Sequence, residues 1–162
     1  MKKINIIIIC PGEEEHPGCA ELVRTYPEVN LVAAYRTLDE AGLHISLGGS
    51  DVLLLDEAVI ELEGPEKVRA IHLDYPGIRT LQIVEKHSQN MAMEAISLGI
   101  RGVMERSSLV AMLRKAITVL YSGETWMSRQ MVQLLHNQSK FLVDRPLWLV
   151  NPDITPRWDK LN

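Results

Sequence analysis

Short apolar runs alternate along this chain with segments whose apolar residues recur every three or four positions. The runs are Ile4–Cys10, Val29–Ala34, Asp51–Leu55, Thr80–Val84 and a brief Gly102–Met104. They are too short for helices and mostly rich in β-branched residues, which predicts strands buried on both faces. Helices are predicted between them, over roughly His16–Tyr26, Thr37–Ile45, Pro65–Tyr75, Asn90–Leu98 and Ser108–Tyr121. Pro27, Pro76 with Gly77, and Gly99 follow three of these where proline and glycine stop a last turn. In the fifth, Leu109, Leu113, Ile117 and Leu120 make one apolar stripe, and Ser107 or Ser108 is the expected cap. Strand–helix units in this order predict an α/β, (βα)5 flavodoxin-like fold, a doubly wound parallel five-stranded sheet with right-handed crossovers.

The third run, within "SDVLLLDEAV", delivers a single carboxylate, Asp56, where the apolar residues stop. Open α/β folds keep their chemistry at the carboxyl ends of parallel strands. Asp56 is therefore expected to be a reactive group or the remnant of one.

After Gly123 the pattern changes. The organisation expected is one domain over 1–123, a linker helix over 124–140, and a tail over 141–162. "ETWMSRQMVQLLHNQSK" would turn Trp126, Met131, Leu134 and Leu135 to one side of that helix. The tail holds three prolines and two tryptophans without a period and reads as an extended segment.

Composition narrows the function classes. With 162 residues, 46% hydrophobic and 23% charged, the chain suits one domain with a full core. A formal charge of −4 argues against a broad phosphate-binding surface, so no direct nucleic-acid binding by this chain is expected. Cys10 and Cys19 lack CxxC spacing, which fits a reduced cytoplasmic protein. "INIIIIC" follows two lysines, but the run is short, no small-residue cleavage site follows, and "GEEEH" interrupts it. No stretch reaches the length of a membrane span, so no membrane association is expected.

Other candidate chemistry is sparse. Cys10, at a strand end near a helix start, reads either as a stabilised thiolate or as a small apolar filler, and the second is preferred. No histidine stands at a spacing that would make it a nucleophile's partner. "LGGSD" precedes a strand, whereas phosphate cradles follow one. "GIRGVM" reads as a turn entering the fifth strand. His44, His72, His87 and His136 are scattered without zinc spacing. The expectation is that the protein is not an enzyme.

Several stretches taken together resemble the receiver domain of bacterial response regulators (CheY-like), most nearly the branch that precedes a LuxR-type helix-turn-helix. They are "INIIIICP", "YPEVNLVAAY", "SDVLLLDE", "PGIRTLQIV", "AISLGIRGVMERSS" and "LRKAITVLYSGETWMS". They fall into register without gaps from Ile4 to about Arg106, and the likeness continues through "SGETWMS". "ITPR", Ile154 to Arg157, looks like the opening of that branch's DNA-binding module, whose remaining helices are absent from this sequence.

The resemblance implies two-component signalling, with a histidine kinase as phosphoryl donor and an aspartate as acceptor. The acceptor position matches Asp56. The pair of acidic Mg²⁺ ligands falls on Cys10 and Pro11, which offer no hard anionic oxygen. The hydroxyl position falls on Val84, the aromatic switch position on Val103, and the phosphate-gripping lysine on Arg106. Magnesium would be left with Asp56, a backbone carbonyl near Ala58 and water, and a dianionic phosphoryl group would meet an uncompensated carboxylate.

Two arrangements are open at the site. Arg106 pairs directly with Asp56 in a charge-assisted bond, making Asp56 structural. Alternatively Glu13, Glu14 or Glu15 supplies a displaced ligand for Mg²⁺; otherwise these residues and His16 form a solvated turn into the first helix. The preferred reading is a pseudo-receiver without a cofactor, acting through homodimerisation or a signalling protein partner, with little or no phosphorylation, in a transcriptional regulator. The alternative is an active phosphoacceptor with Mg²⁺. A flavodoxin-like cofactor binder is disfavoured, because the loops after the strands lack a phosphate cradle and a stacking aromatic.

Overall fold

The computed structural model describes residues 2–12 and 17–128, together with Gln133. Five parallel strands form one sheet in the order β2-β1-β3-β4-β5. They are β1 (Ile4–Ile9), β2 (Val29–Tyr35), β3 (Val52–Asp56), β4 (Arg79–Val84) and β5 (Gly102–Glu105). The helices are α1 (Pro17–Arg24), α2 (Leu38–Ser46), α3 (Glu57–Glu63), α4 (Pro65–Asp74), α5 (Gln89–Ser97) and α6 (Leu109–Tyr121), with one 3-10 turn at Arg106–Ser108. All five predicted strands are present, with ends moved by one residue at most.

Alternation along the strands divides the core in two, because successive side chains leave opposite faces of a sheet. Ile7, Ile9, Leu53 and Leu55 pack with Leu38, Ala41 and Ile45 of α2, Val68 of α4 and Ala92 and Ile96 of α5. Ile6, Ile8, Val52 and Leu54 pack with Cys19 and Val23 of α1 and with α6. The α6 stripe of Leu109, Leu113, Ile117 and Leu120 is buried there, each side chain contributing about 1.5–3 kcal/mol by burial. Strand order reverses between β1 and β3, so their carboxyl ends open the crevice where this architecture places its site.

Three local expectations are corrected. No helix was expected at residues 57–63, yet α3 is there. Asp56 leaves β3 extended, its Oδ1 accepts the Ala58 amide at 2.7 Å, and this bond caps the helix that follows. Gly64 at φ +92° ends α3, and Pro65 starts α4 with its fixed φ. Ser108 stands at the N-cap position of α6, but with helical angles (φ −95°, ψ −4°) and no capping bond from its side chain, because the chain enters through the 3-10 turn.

Residues Glu124–Ser128 are not helical, although a helix was expected from Glu124. Trp126 makes a parallel bridge to Gly102, donating to the Arg101 carbonyl at 2.9 Å and accepting from the Val103 amide at 3.1 Å. An edge strand has unpaired backbone groups, and this segment satisfies some of them. Gly102 makes the approach possible, since a Cβ there would stand 3.1 Å from the Trp126 Cβ and 2.8 Å from Leu81 Cδ1. The remainder of the expected linker helix (Gln133 apart), His136 and the tail lie outside the described residues. Among the described residues no helix is long and apolar enough to cross a membrane.

Candidate functional site

Strand register brings the polar residues together at the mouth of the crevice. Asp56 pairs with Ile83 and Val84 with Glu105. The residues one step beyond the β4–β5 pairing are Glu85 and Arg106, so they emerge side by side next to the end of β3. Arg106 Nη2 donates to Asp56 Oδ2 at 3.1 Å, and Arg106 Nη1 donates to Glu85 Oε2. Asp56 Oδ1 is engaged by the Ala58 amide, and the Cys10 thiol stands 3.8 Å from Oδ2 while donating to the Gly12 carbonyl at 3.1 Å. Both carboxylate oxygens are thus engaged from within the chain.

Exposure ranks these contacts. The Asp56 side chain is 1% exposed, that of Arg106 29% and that of Glu85 68%. A carboxylate so buried needs a countercharge or hydrogen bonds, and it has both. Glu85 lies on the wet side of the guanidinium and contributes mainly by fixing its direction.

The remaining receiver positions lie in or around the same crevice. Cys10 is buried in the α1/α6 core, and Pro11 follows it at the end of β1. Val84 and Val103 both belong to the α2–α5 core, where their methyl groups can neither donate a hydrogen bond nor swing as an aromatic ring. Glu13, Glu14, Glu15 and His16 lie outside the described residues. Mg²⁺ requires several hard oxygen ligands in octahedral array. Cys10 and Pro11 supply none, both Asp56 oxygens are engaged, and among the described residues no three His, Cys, Asp or Glu side chains are placed to hold a metal. The described donor set therefore does not fit magnesium.

Two neighbours feel the crevice electrostatically. Burial pushes the Cys19 thiol up to about 12, helped by the nearby Cys10 and Asp56, so it packs as a thiol. Burial also raises the Glu57 carboxyl, while the Glu85 amide, donating to its Oε2 at 3.3 Å, pulls the other way. The histidines are dispersed: His44 bonds the Tyr35 hydroxyl at 2.8 Å, and His72 sits between the Leu98 carbonyl and the Thr80 hydroxyl at 2.8 and 2.7 Å.

Sequence reasoning missed Glu85 and Glu57. Nothing in spacing marks Glu85, because its meeting with Arg106 depends on the β4–β5 register. Glu57 had a readable signal: an Asp followed by Glu-Ala-Val-Ile and stopped by Gly-Pro is a capped helix.

No family model matches the chain, and no curated protein matches it. Solved structures do. The isolated receiver domain of RcsB from Salmonella enterica serovar Typhimurium, in the apo form, aligns at TM-score 0.72 and 17% identity, over 82% of this chain and 98% of that one. A LuxR-family two-component response regulator from Aurantimonas sp. SI85-9A1 aligns at TM-score 0.72 and 22% identity, over 86% and 99%. The receiver domain of the NarL response regulator of Mycobacterium tuberculosis aligns at 0.66 and 19%, over 76% and 100%. With its single parallel sheet and helices on both faces, the chain has the CheY-like, flavodoxin-like fold of response-regulator receiver domains.

Proposed function

We propose that this chain is a signalling receiver whose acceptor aspartate is closed by an internal ion pair, so that it works through protein contact rather than phosphoryl transfer. The observation that carries this reading is the 3.1 Å contact between Arg106 Nη2 and the buried Asp56 Oδ2. Transfer to Asp56 would require a free carboxylate oxygen, a divalent ion to offset charge, and a hydroxyl to grip the product. Here Arg106 and the Ala58 amide engage the oxygens, Cys10 and Pro11 stand at the metal-ligand positions, and Val84 stands at the hydroxyl position. Arg106 makes permanently the contact that a lysine would make to a phosphoryl group.

Output would then come from association: an isologous homodimer, or docking to another signalling protein such as a histidine kinase or a transcriptional regulator's own DNA-binding module. The α5–β5–α6 side would suit this, and on α6 Val110 is 82% exposed. The role is that of an interaction module rather than an enzyme.

The test is a titration with beryllofluoride and Mg²⁺, a phosphoryl mimic, followed by thermal unfolding and fluorine NMR. No bound fluorine signal and no shift of the midpoint are expected at millimolar mimic. Saturable stabilisation would overturn the reading in favour of an active acceptor. Repeating the titration on a Glu13/Glu14/Glu15 triple alanine variant would show whether those carboxylates hold the ion.

A further inference from the structure

The segment that follows α6 runs along the outer edge of β5. The Trp126 amide donates to the Arg101 carbonyl at 2.9 Å, and the Trp126 carbonyl accepts from the Val103 amide at 3.1 Å, which makes a parallel bridge to Gly102. Side chains on such an added strand leave opposite faces of the sheet. Met127 accordingly packs into the core layer that holds Val103, and Trp126 packs against the layer of α1 and α6. Gly123, at φ +96°, turns the chain out of α6 toward this edge. The seat is specific, because a Cβ on Gly102 would stand 3.1 Å from the Trp126 Cβ.

Two observations show that the segment is seated against a cost. Thr125 is only 2% exposed, and its Oγ1 is buried without a hydrogen-bond partner. That hydroxyl has given up water for nothing, a penalty carried by the seated segment and relieved as soon as it leaves. Among the described residues, the backbone bonds that join residues 125–127 to β5 are the two of Trp126. Segments joined to a fold by so few backbone bonds open at the low end of the local-stability range.

We propose that residues 125–127 form a reversible strap. Docked, the strap covers the edge of β5 and fixes the direction in which the chain leaves the domain at Ser128. Released, it bares the Arg101 carbonyl and the Val103 amide, returns the Thr125 hydroxyl to water, and lets the residues beyond Ser128 swing about Gly123. The two states differ by a small balance, since the packing of Trp126 and Met127 favours docking and the unanswered hydroxyl opposes it. The strap thereby couples the path of the following chain to β5. Neither Arg106 nor Asp56 takes part, so the strap can fail without affecting the closed-acceptor reading, and the converse also holds.

The test is native-state hydrogen exchange of the full chain by NMR, in urea below the unfolding transition. The Val103 and Trp126 amides should exchange at least about tenfold faster than the Leu54 amide in the middle of the sheet, and with a weaker dependence on urea, the mark of a small opening. Thr125→Val keeps the shape and removes the hydroxyl, so it should slow both amides by roughly five- to tenfold. Trp126→Pro removes the donor to the Arg101 carbonyl without altering the sheet itself. It should leave the Val103 amide unprotected while the Leu54 amide stays protected. Backbone amide relaxation over residues 129–140 should report larger motion in Trp126→Pro than in Thr125→Val. Exchange of Val103 and Trp126 at the rate and urea dependence of Leu54 overturns the proposal, because the strap would then leave only when the whole fold does. So does unchanged exchange in Thr125→Val, or equal relaxation in the two variants.

Discussion

Asp56 and Gln82 stand one rung apart on neighbouring strands, since Leu55 pairs with Gln82 and Asp56 with Ile83. Both are polar, and both are almost wholly buried. Asp56 is surrounded by donors that belong to the chain: the Ala58 amide, the Arg106 guanidinium and the more distant Cys10 thiol. Gln82 Oε1 meets none, although the residue lines a cleft between α3, β4 and α5. A folded chain tolerates a buried polar group when its own residues answer it. Asp56 is answered from within, which marks a site that has been closed. Gln82 Oε1 is left unanswered inside the fold.

The largest effect should come from breaking the closed site. Arg106→Ala removes the guanidinium that stands as countercharge against a buried carboxylate. A cost of about 2 kcal/mol is expected in urea unfolding, below the roughly 3–5 kcal/mol of a fully buried pair, because the guanidinium is partly in water. Asp56→Asn in the same chain should recover most of that loss, since the amide keeps the Ala58 cap without the charge. Equal midpoints for Arg106→Ala and the parent protein would mean that the ion pair does not hold Asp56.

The Gln82 position should respond in the opposite sense. Gln82→Met removes an unanswered oxygen and supplies similar volume, so the urea midpoint should stay or rise, by less than about 1 kcal/mol. A clear loss of stability would place a hidden donor on Oε1 and make the two sites alike.

The contrast between the sites was only half legible in the sequence. The five strands could be read because each is a short apolar run between turn residues, and alternation within each run decides which helices it meets. Asp56 could be read for the same reason, as the first carboxylate after a buried run. The departures at Cys10, Pro11, Val84 and Val103 followed from alignment to the receiver pattern. The third link of the network could not be read. Glu85 reaches Arg106 only because Val84 and Glu105 share a rung, and register between sequence-distant strands is not written in either one alone. Gln82 was hidden for a similar reason, since one glutamine in an apolar strand says nothing of the cavity beside it. The helix expected from Glu124 misled because Trp126, Met131, Leu134 and Leu135 recur at helical spacing, whereas backbone pairing at the β5 edge decided the conformation of Trp126 and Met127 is buried.

A smaller effect separates the regions by pH. His72 lies behind the cleft beside Gln82, its Nδ1 donating to the carbonyl of Leu98, which lines that cleft, and its Nε2 accepting from Thr80. Burial lowers its pKa, and the bond to the Leu98 carbonyl only partly offsets this. A lowered base binds fewer protons folded than unfolded, so stability is complete above the ordinary histidine value of 6.5 and falls as pH drops through it toward the folded value. Gly99 lets the backbone approach His72 this closely, since a Cβ there would stand 2.8 Å from the His72 Cβ. In a His72→Asn variant, urea midpoints measured across the same interval should show a flatter slope, whatever its absolute stability. His44 and His87 are present in both proteins and cancel in the difference. Parallel slopes would mean that His72 is not held neutral, and the wall behind the cleft would then be softer than the Asp56 network it adjoins.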